Sequence, residues 1–391
     1  MAKSSSGILV LLSVSVGVSM IGLGIIWPLI PVYAVELGAG GFMVGLIIAS
    51  FNLSKAAFGP FMGRFSDSLG RKKFITVGLI AYTCMSVMYV LAGSAETLIA
   101  VRIFHGMASV MVVPIAMALA ADIAPKHELG LYMGTLNMAV MLGLGAGPVL
   151  GGALRDHFGM DSAFIAMGLL ALITCILVVI VIPSDAETRS FKENQARSSV
   201  GQIVRHRIAL GIIFMRFLAA SGQGAVYTFL PLLGLKMDMS SSQVGILLSA
   251  NIFLIAFLQR FSGRLADRVN PKYLVIFGTF LAGFAVLGMP MVKGFFLVLV
   301  LNIVMGAANG LALPGGLVIT AQLGRTMGMA SLMSITDAAW SLGMIVSPIL
   351  SGIILDVYGL PYVFLMGSAL ILTGGAAVSL FLRTYDPAKE Y

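Results

Sequence analysis

From residue 7 to residue 382 the chain is a succession of apolar runs, each of about twenty residues or more, separated by short polar breaks. A run of that length suits a helix crossing the hydrocarbon core of a bilayer, and a helix satisfies its own backbone hydrogen bonds there. Reading the runs against their breaks gives twelve helices, at 7–34, 42–63, 74–94, 97–121, 131–154, 162–183, 208–235, 242–263, 273–292, 295–321, 328–354 and 361–382. Composition agrees: 59% of the 391 residues are hydrophobic and 10% are charged, where a soluble domain carries about 25% charge. No polar shell can be built from so little. The expected fold is an all-α integral membrane protein with twelve transmembrane helices, which excludes a soluble enzyme, a secreted disulfide scaffold and a DNA-binding domain.

The net charge of +8 then reflects loop topology rather than nucleic acid. With both termini cytoplasmic, seventeen lysines and arginines fall inside and three (Arg155, Lys236 and Lys293) fall outside. The positive-inside rule therefore predicts a multi-pass protein of the plasma (inner) membrane with both ends in the cytoplasm. The first run continues from Ser6 to Ala34 without a small-residue cleavage site, so it reads as a membrane helix rather than a cleaved signal. Cys84 and Cys175 sit in apolar runs as small hydrophobes, with no spacing for a metal or redox site.

The longest polar stretch separates two halves: a six-helix bundle at 1–183, a cytoplasmic linker at 184–207 and a second bundle at 208–391. The halves repeat. A constant offset of 200 carries Ile30-Pro31 to Leu230-Pro231, Gly63-Arg64 with Asp67 to Gly263-Arg264 with Asp267, and Gly106 to Gly306. It also carries Pro114 to Pro314, Pro148 to Pro348, Gly152 to Gly352, Asp156 to Asp356 and Gly159 to Gly359. Two parallel six-helix repeats are the architecture of a rocking carrier with its site near the bilayer midplane.

Three motifs carry a family resemblance. Gly63-Arg64-Phe65-Ser66-Asp67-Ser68-Leu69-Gly70-Arg71-Lys72-Lys73 resembles the loop 2–3 signature of the major facilitator superfamily, and Leu98 to Gly106, with Arg102, resembles its helix 4 motif. The run from Gly143 to Gly152, with Gly147, Pro148 and Gly151, resembles the helix 5 motif of that family's twelve-helix drug–proton antiporters. Without the name, Gly63 and Gly70 permit close approach and a tight turn, and Asp67 supplies a carboxylate fit to cap a helix N-terminus. The resemblance implies that the capped helix is helix 11, and Arg71 is then placed to pair with Asp122 in a cytoplasmic gate. The bland alternative is that the basic cluster only sets topology. Gly143, Gly147 and Gly151 form an i, i+4, i+8 stripe for backbone-to-backbone packing, and Pro148 bends the helix. A role in preventing substrate leak is implied by resemblance alone.

Ionisable groups inside the runs are costly in lipid and belong against a cavity or a partner. They are Lys55, Arg102, His105, Arg216, Arg260 and Asp337. Arg260 lies near a helix end and is read as snorkelling. Arg102 either lines the cavity and assists proton movement or serves as a structural hydrogen-bonding group. His105 titrates in the right range or is a packing histidine. Arg216 is expected to touch substrate, with Trp27, Tyr227 and Trp340 as aromatic cavity wall. Lys55 and Asp337 both lose their charge under the 200-residue offset, becoming Ile255 and Asn137. They are read as an ion pair whose protonation at Asp337 couples proton movement to rocking, against the alternative of a static pair or two separate water pockets.

The resulting expectation is a proton-coupled antiporter that exports small amphipathic compounds or drugs. Its expected partners are substrate, protons and lipid, with no nucleic acid. It is expected to act as a monomer with no cofactor or metal, the proton gradient supplying the energy. Because the buried set holds four fixed basic residues and one carboxylate, a carrier of an organic anion, sugar or lipid-like metabolite is the alternative. No P-loop, HExxH or GxSxG occurs, so no enzyme or catalytic residue is expected. The repeat suits a carrier better than a channel.

Overall fold

The computed structural model describes residues 5–125, 128–182, 203, 205–266, 268–383 and 385. Among these, twelve helices are long and apolar enough to cross a membrane. They are α1 (Gly7–Glu36), α2 (Gly41–Leu69), α3 (Arg71–Val90), α4 (Ala95–Ile123), α5 (Leu129–Phe158) and α6 (Met160–Ile180), followed by α7 (Arg207–Lys236), α8 (Ser241–Ala266), α9 (Pro271–Met291), α10 (Phe295–Arg325), α11 (Ser331–Tyr358) and α12 (Leu360–Phe381). No strand occurs among the described residues. Asp267 and most of the expected linker at 184–207 lie outside them.

Proline acts differently from site to site. The first span breaks into Ser5–Ile26 and Leu29–Glu36 around Pro28, and the fourth into Ala95–Val110 and Val113–Ile123 just before Pro114. Each break falls before the turn whose hydrogen bond the proline cannot donate. Pro60, Pro148, Pro231, Pro314 and Pro348 stay inside continuous helices. α2 also outruns its expected end at 63, continuing to Leu69. Polar residues do not end a helix by themselves; the turn comes at Gly70, whose φ of 102° only glycine adopts readily. Gly63 therefore lies within α2 and makes no turn, and a Cβ there would meet nothing within 4 Å. The close-approach reading of Gly63 is corrected on that ground.

The chain forms two compact units. Unit 1 comprises Met1–Ala39, Leu46–Lys192 and Ser240–Ser249; unit 2 comprises Gly40–Gly45, Glu193–Met239 and Ala250–Tyr391. Within unit 1, α1 packs on α5 and α6, and α3 on α4 and α6. Unit 2 repeats these pairings, α7 on α11 and α12, and α9 on α10 and α12. The core of unit 1 gathers Leu12, Val16, Leu79, Tyr82, Leu119 and Leu136; that of unit 2 gathers Ile208, Ile212, Val275, Ile319 and Leu323.

The α1–α5 seam shows what the helix 5 stripe does. Cβ atoms at Gly143, Gly147 and Gly151 would run into the backbone of Gly17, Gly24 and Ile25. Glycine is what lets the two backbones touch. The corresponding α7–α11 seam keeps Gly343 against Phe217 but substitutes Ser347, whose hydroxyl donates to the Ser221 carbonyl. Helix ends are tied with charge. The Asp156 carboxylate accepts from the Ser241 and Ser242 N–H groups at 2.9 and 2.8 Å, and Asp356 accepts from Gly41 and Phe42 at 2.6 and 2.8 Å. Each anion occupies the positive end of a helix macrodipole. At the opposite kind of terminus, the Lys72 ammonium donates to the Val179 and Ile182 carbonyls at 2.8 and 2.5 Å, and Lys272 donates to the Tyr385 carbonyl at 3.1 Å.

Candidate functional site

Unit 2 contains a cavity with an empty volume of about 600 Å³, counting the space at its mouth. Its long wall is apolar, from Met215, Ala219, Ala282, Ala312, Leu313 and Ile371. Polar groups sit at two ends. At one, the Arg216 guanidinium lies over the Trp340 ring, 4.7 Å from its centroid, and its Nη2 donates to Asp337 at 3.3 Å. At the other, Gln223 donates to the Asn309 side-chain oxygen at 3.1 Å. Arg216 and Gln223 are seven residues apart on α7, so the two ends share a helix face about 10 Å apart along its axis.

The sequence singled out Arg216, Trp340 and Asp337, and the structure brings all three together. Asp337 differs in one respect. Its side chain is 75% exposed and already holds a partner within its own unit, Arg216. At such exposure the desolvation cost of Asp337 is small, and its charge does not require Lys55 as a partner. Tyr227 is a correction. It is buried one turn beyond Gln223, outside the cavity wall, and its hydroxyl donates to Asn251, which bonds Asn302 in turn. Gln223, Asn309 and Thr336 were missed. Their signal was available as uncharged polar residues within apolar runs, but a search for charges passes over them.

Unit 1 gathers the other buried charges. Lys55 stands midway along α2, its ammonium 5.4 Å from the Phe51 ring centroid, and the Arg102 guanidinium lies 4.1 Å from the same ring. Cation–π attraction of this kind contributes about 0.5–2 kcal/mol per pair. Among the described residues of unit 1, neither cation has an ion-pair partner. His105 is fully buried, its Nδ1 3.0 Å from the Tyr89 hydroxyl, between the rings of Tyr82 and Phe51 with centroids at 4.7 and 5.2 Å. Those contacts favour its reading as a packing histidine. Trp27 marks the break in α1, and Arg260 is exposed.

At the end of α2, Arg71 pairs with Asp122 at 2.5 Å and with Asp67 at 2.8 Å. The Arg71–Asp122 contact is the one expected from the loop motif. Gly70, between α2 and α3, supplies the turn that lets Arg71 reach both carboxylates.

Twelve spans of this length and apolarity among the described residues define a multi-pass membrane protein. The Major Facilitator Superfamily matches residues 12–240 and 212–391, and the chain belongs to that family. It is thus a transporter and not an enzyme. An uncharacterized transporter of the same type from Methanocaldococcus jannaschii is 28% identical over 350 residues, 88% of this chain and 89% of that protein. The quinolone resistance protein NorA of Staphylococcus aureus is 34% identical over 175 residues, a match spanning 44% of this chain and 45% of NorA. Among solved structures, a bacterial homolog of the human lysosomal transporter Spinster superposes with a TM-score of 0.85 at 15% identity, covering 100% of this chain and 99% of that one. At that identity the likeness establishes the fold.

Proposed function

We propose that the chain is a proton-coupled exporter of small amphipathic compounds, working by alternating access in the plasma membrane with both termini cytoplasmic. The observation that carries this reading is the unit 2 cavity. Its wall suits an apolar body, and the adjoining Arg216–Asp337 pair offers an exchangeable proton site beside the bound solute. Protonation of Asp337 removes the negative partner of Arg216 and so changes the charge that a substrate meets. The partial similarity to NorA supports efflux.

Proteoliposomes with an imposed pH gradient and a panel of anionic, neutral and cationic amphipaths provide the test. Gradient-driven accumulation is expected for at least one class. Asp337→Asn is expected to reduce it at least tenfold while leaving substrate exchange at equal pH. Undiminished gradient-driven transport in that variant overturns the coupling role. A second reading, a carrier of organic anions, is favoured by one fact: Arg216 is the charged residue among those lining the cavity.

A further inference from the structure

The two ends of the unit 2 cavity specify a ligand more closely than its size does. Arg216 is on the lining and Asp337 is not, so the wall itself presents positive charge. A guanidinium has five N–H donors. Asp337 engages Nη2 at 3.3 Å, longer than the roughly 2.7–2.9 Å of a well-made charge-assisted bond. The Trp340 ring, its centroid 4.7 Å from the guanidinium carbon, restrains the Arg216 head, which lowers the entropy lost when an anion docks. At the far end, Asn309 lines the cavity as a residue only 7% exposed, and its buried Nδ2 has no hydrogen-bond partner. An unpaired buried amide donor is costly, and a ligand acceptor would remove that cost. Seven residues of α7, about 10 Å of helix rise, separate Arg216 from Gln223, whose side chain donates to Asn309.

We propose that this cavity is a binding subsite for an elongated amphipathic organic anion, its charged head on Arg216 and a hydrogen-bond acceptor on the Asn309 amide, at the Gln223 end of α7 about 10 Å of helix rise further on. The inference rests on the carrier reading and narrows it to a substrate class. Asp337 competes with the ligand head for Arg216, so the anion displaces a carboxylate rather than filling an empty place.

The test is direct binding to the full chain in nanodiscs. The probe is 8-(dansylamino)octanoate, whose chain separates a carboxylate from sulfonyl oxygens by a comparable length, and binding is followed by its fluorescence. The anion is expected to bind at least tenfold more tightly than its methyl ester or than the corresponding dansylated amine. Arg216→Gln is expected to abolish that preference. Asn309→Leu should weaken the probe several-fold yet leave competition by nonanoate, which lacks the distal acceptor, unchanged. Asp337→Asn should tighten the probe several-fold, an outcome that misfolding does not produce, so it decides the matter if Arg216→Gln does not fold. Equal binding of ester and anion, or weaker or unchanged binding in Asp337→Asn, overturns the subsite. Binding as described without gradient-driven movement of any amphipath leaves the subsite standing and removes the exporter reading. Gradient-driven movement of cations alone, with no anion preference at Arg216, does the reverse.

Discussion

A methyl group added at Gly147 would lie 2.5 Å from the Gly24 backbone, whereas one added at Gly63 meets nothing within 4 Å. Backbone cannot swing aside as a flexible side chain can, so Gly147→Ala is expected to cost about 1–3 kcal/mol and lower the melting temperature in detergent. Gly63→Ala should stay within about 0.5 kcal/mol of the parent. The Arg71 cluster gives a second pair. Asp122 is 13% exposed and Asp67 is 53% exposed. Asp122→Ala, stripping a shielded partner from Arg71, should cost about 2–3 kcal/mol, discounted because Asp67 remains, and Asp67→Ala less than about 1 kcal/mol. Chemical denaturation of the two variants side by side checks the order. Charges inside an apolar run are conspicuous, which is how Arg216 and Asp337 were legible, whereas Arg71 and Asp122 were legible through the loop motif and the resemblance it carries. Gln223 and Asn309 were not, since an uncharged amide in such a run is as compatible with a satisfied core bond as with a ligand contact. Tyr227 misled for the related reason that it shares a helix face with Gln223, and Asn251, which claims its hydroxyl, comes from another helix.

Helix existence was written in the apolar runs, and helix ends were not. α2 passes its polar GRFSDS segment as helix because none of those residues except glycine disfavours it strongly, and Gly70 stops it. The breaks at Pro28 and before Pro114 contrast with five prolines that leave their helices continuous. Proline alone therefore does not decide where a span breaks. The capping carboxylates belong to this scale. Asp156 and Asp356 each accept two N–H groups at the start of a helix, so Asp156→Ala and Asp356→Ala should each destabilise by about 1 kcal/mol. Thermal unfolding should show the two losses to be similar in size and, in the double variant, close to additive.

At the scale of the molecule, one offset of 200 residues runs through the motifs, and the helix pairings of unit 1 recur in unit 2. The proposed orientation predicts that fluorescent protein fused to residue 391 is bright and that alkaline phosphatase fused there is inactive; the reverse pattern places the end outside. The two caps show how such a duplicated chain drifts. Their acceptors are the same residue type at equivalent positions, Asp156 and Asp356, while their donors come from Ser241-Ser242 in one copy and Gly41-Phe42 in the other. A main-chain N–H is supplied by every residue but proline. Mutation can therefore rewrite the donor side freely and still inherit the bond, so at these caps the record of common ancestry is held by the two aspartates.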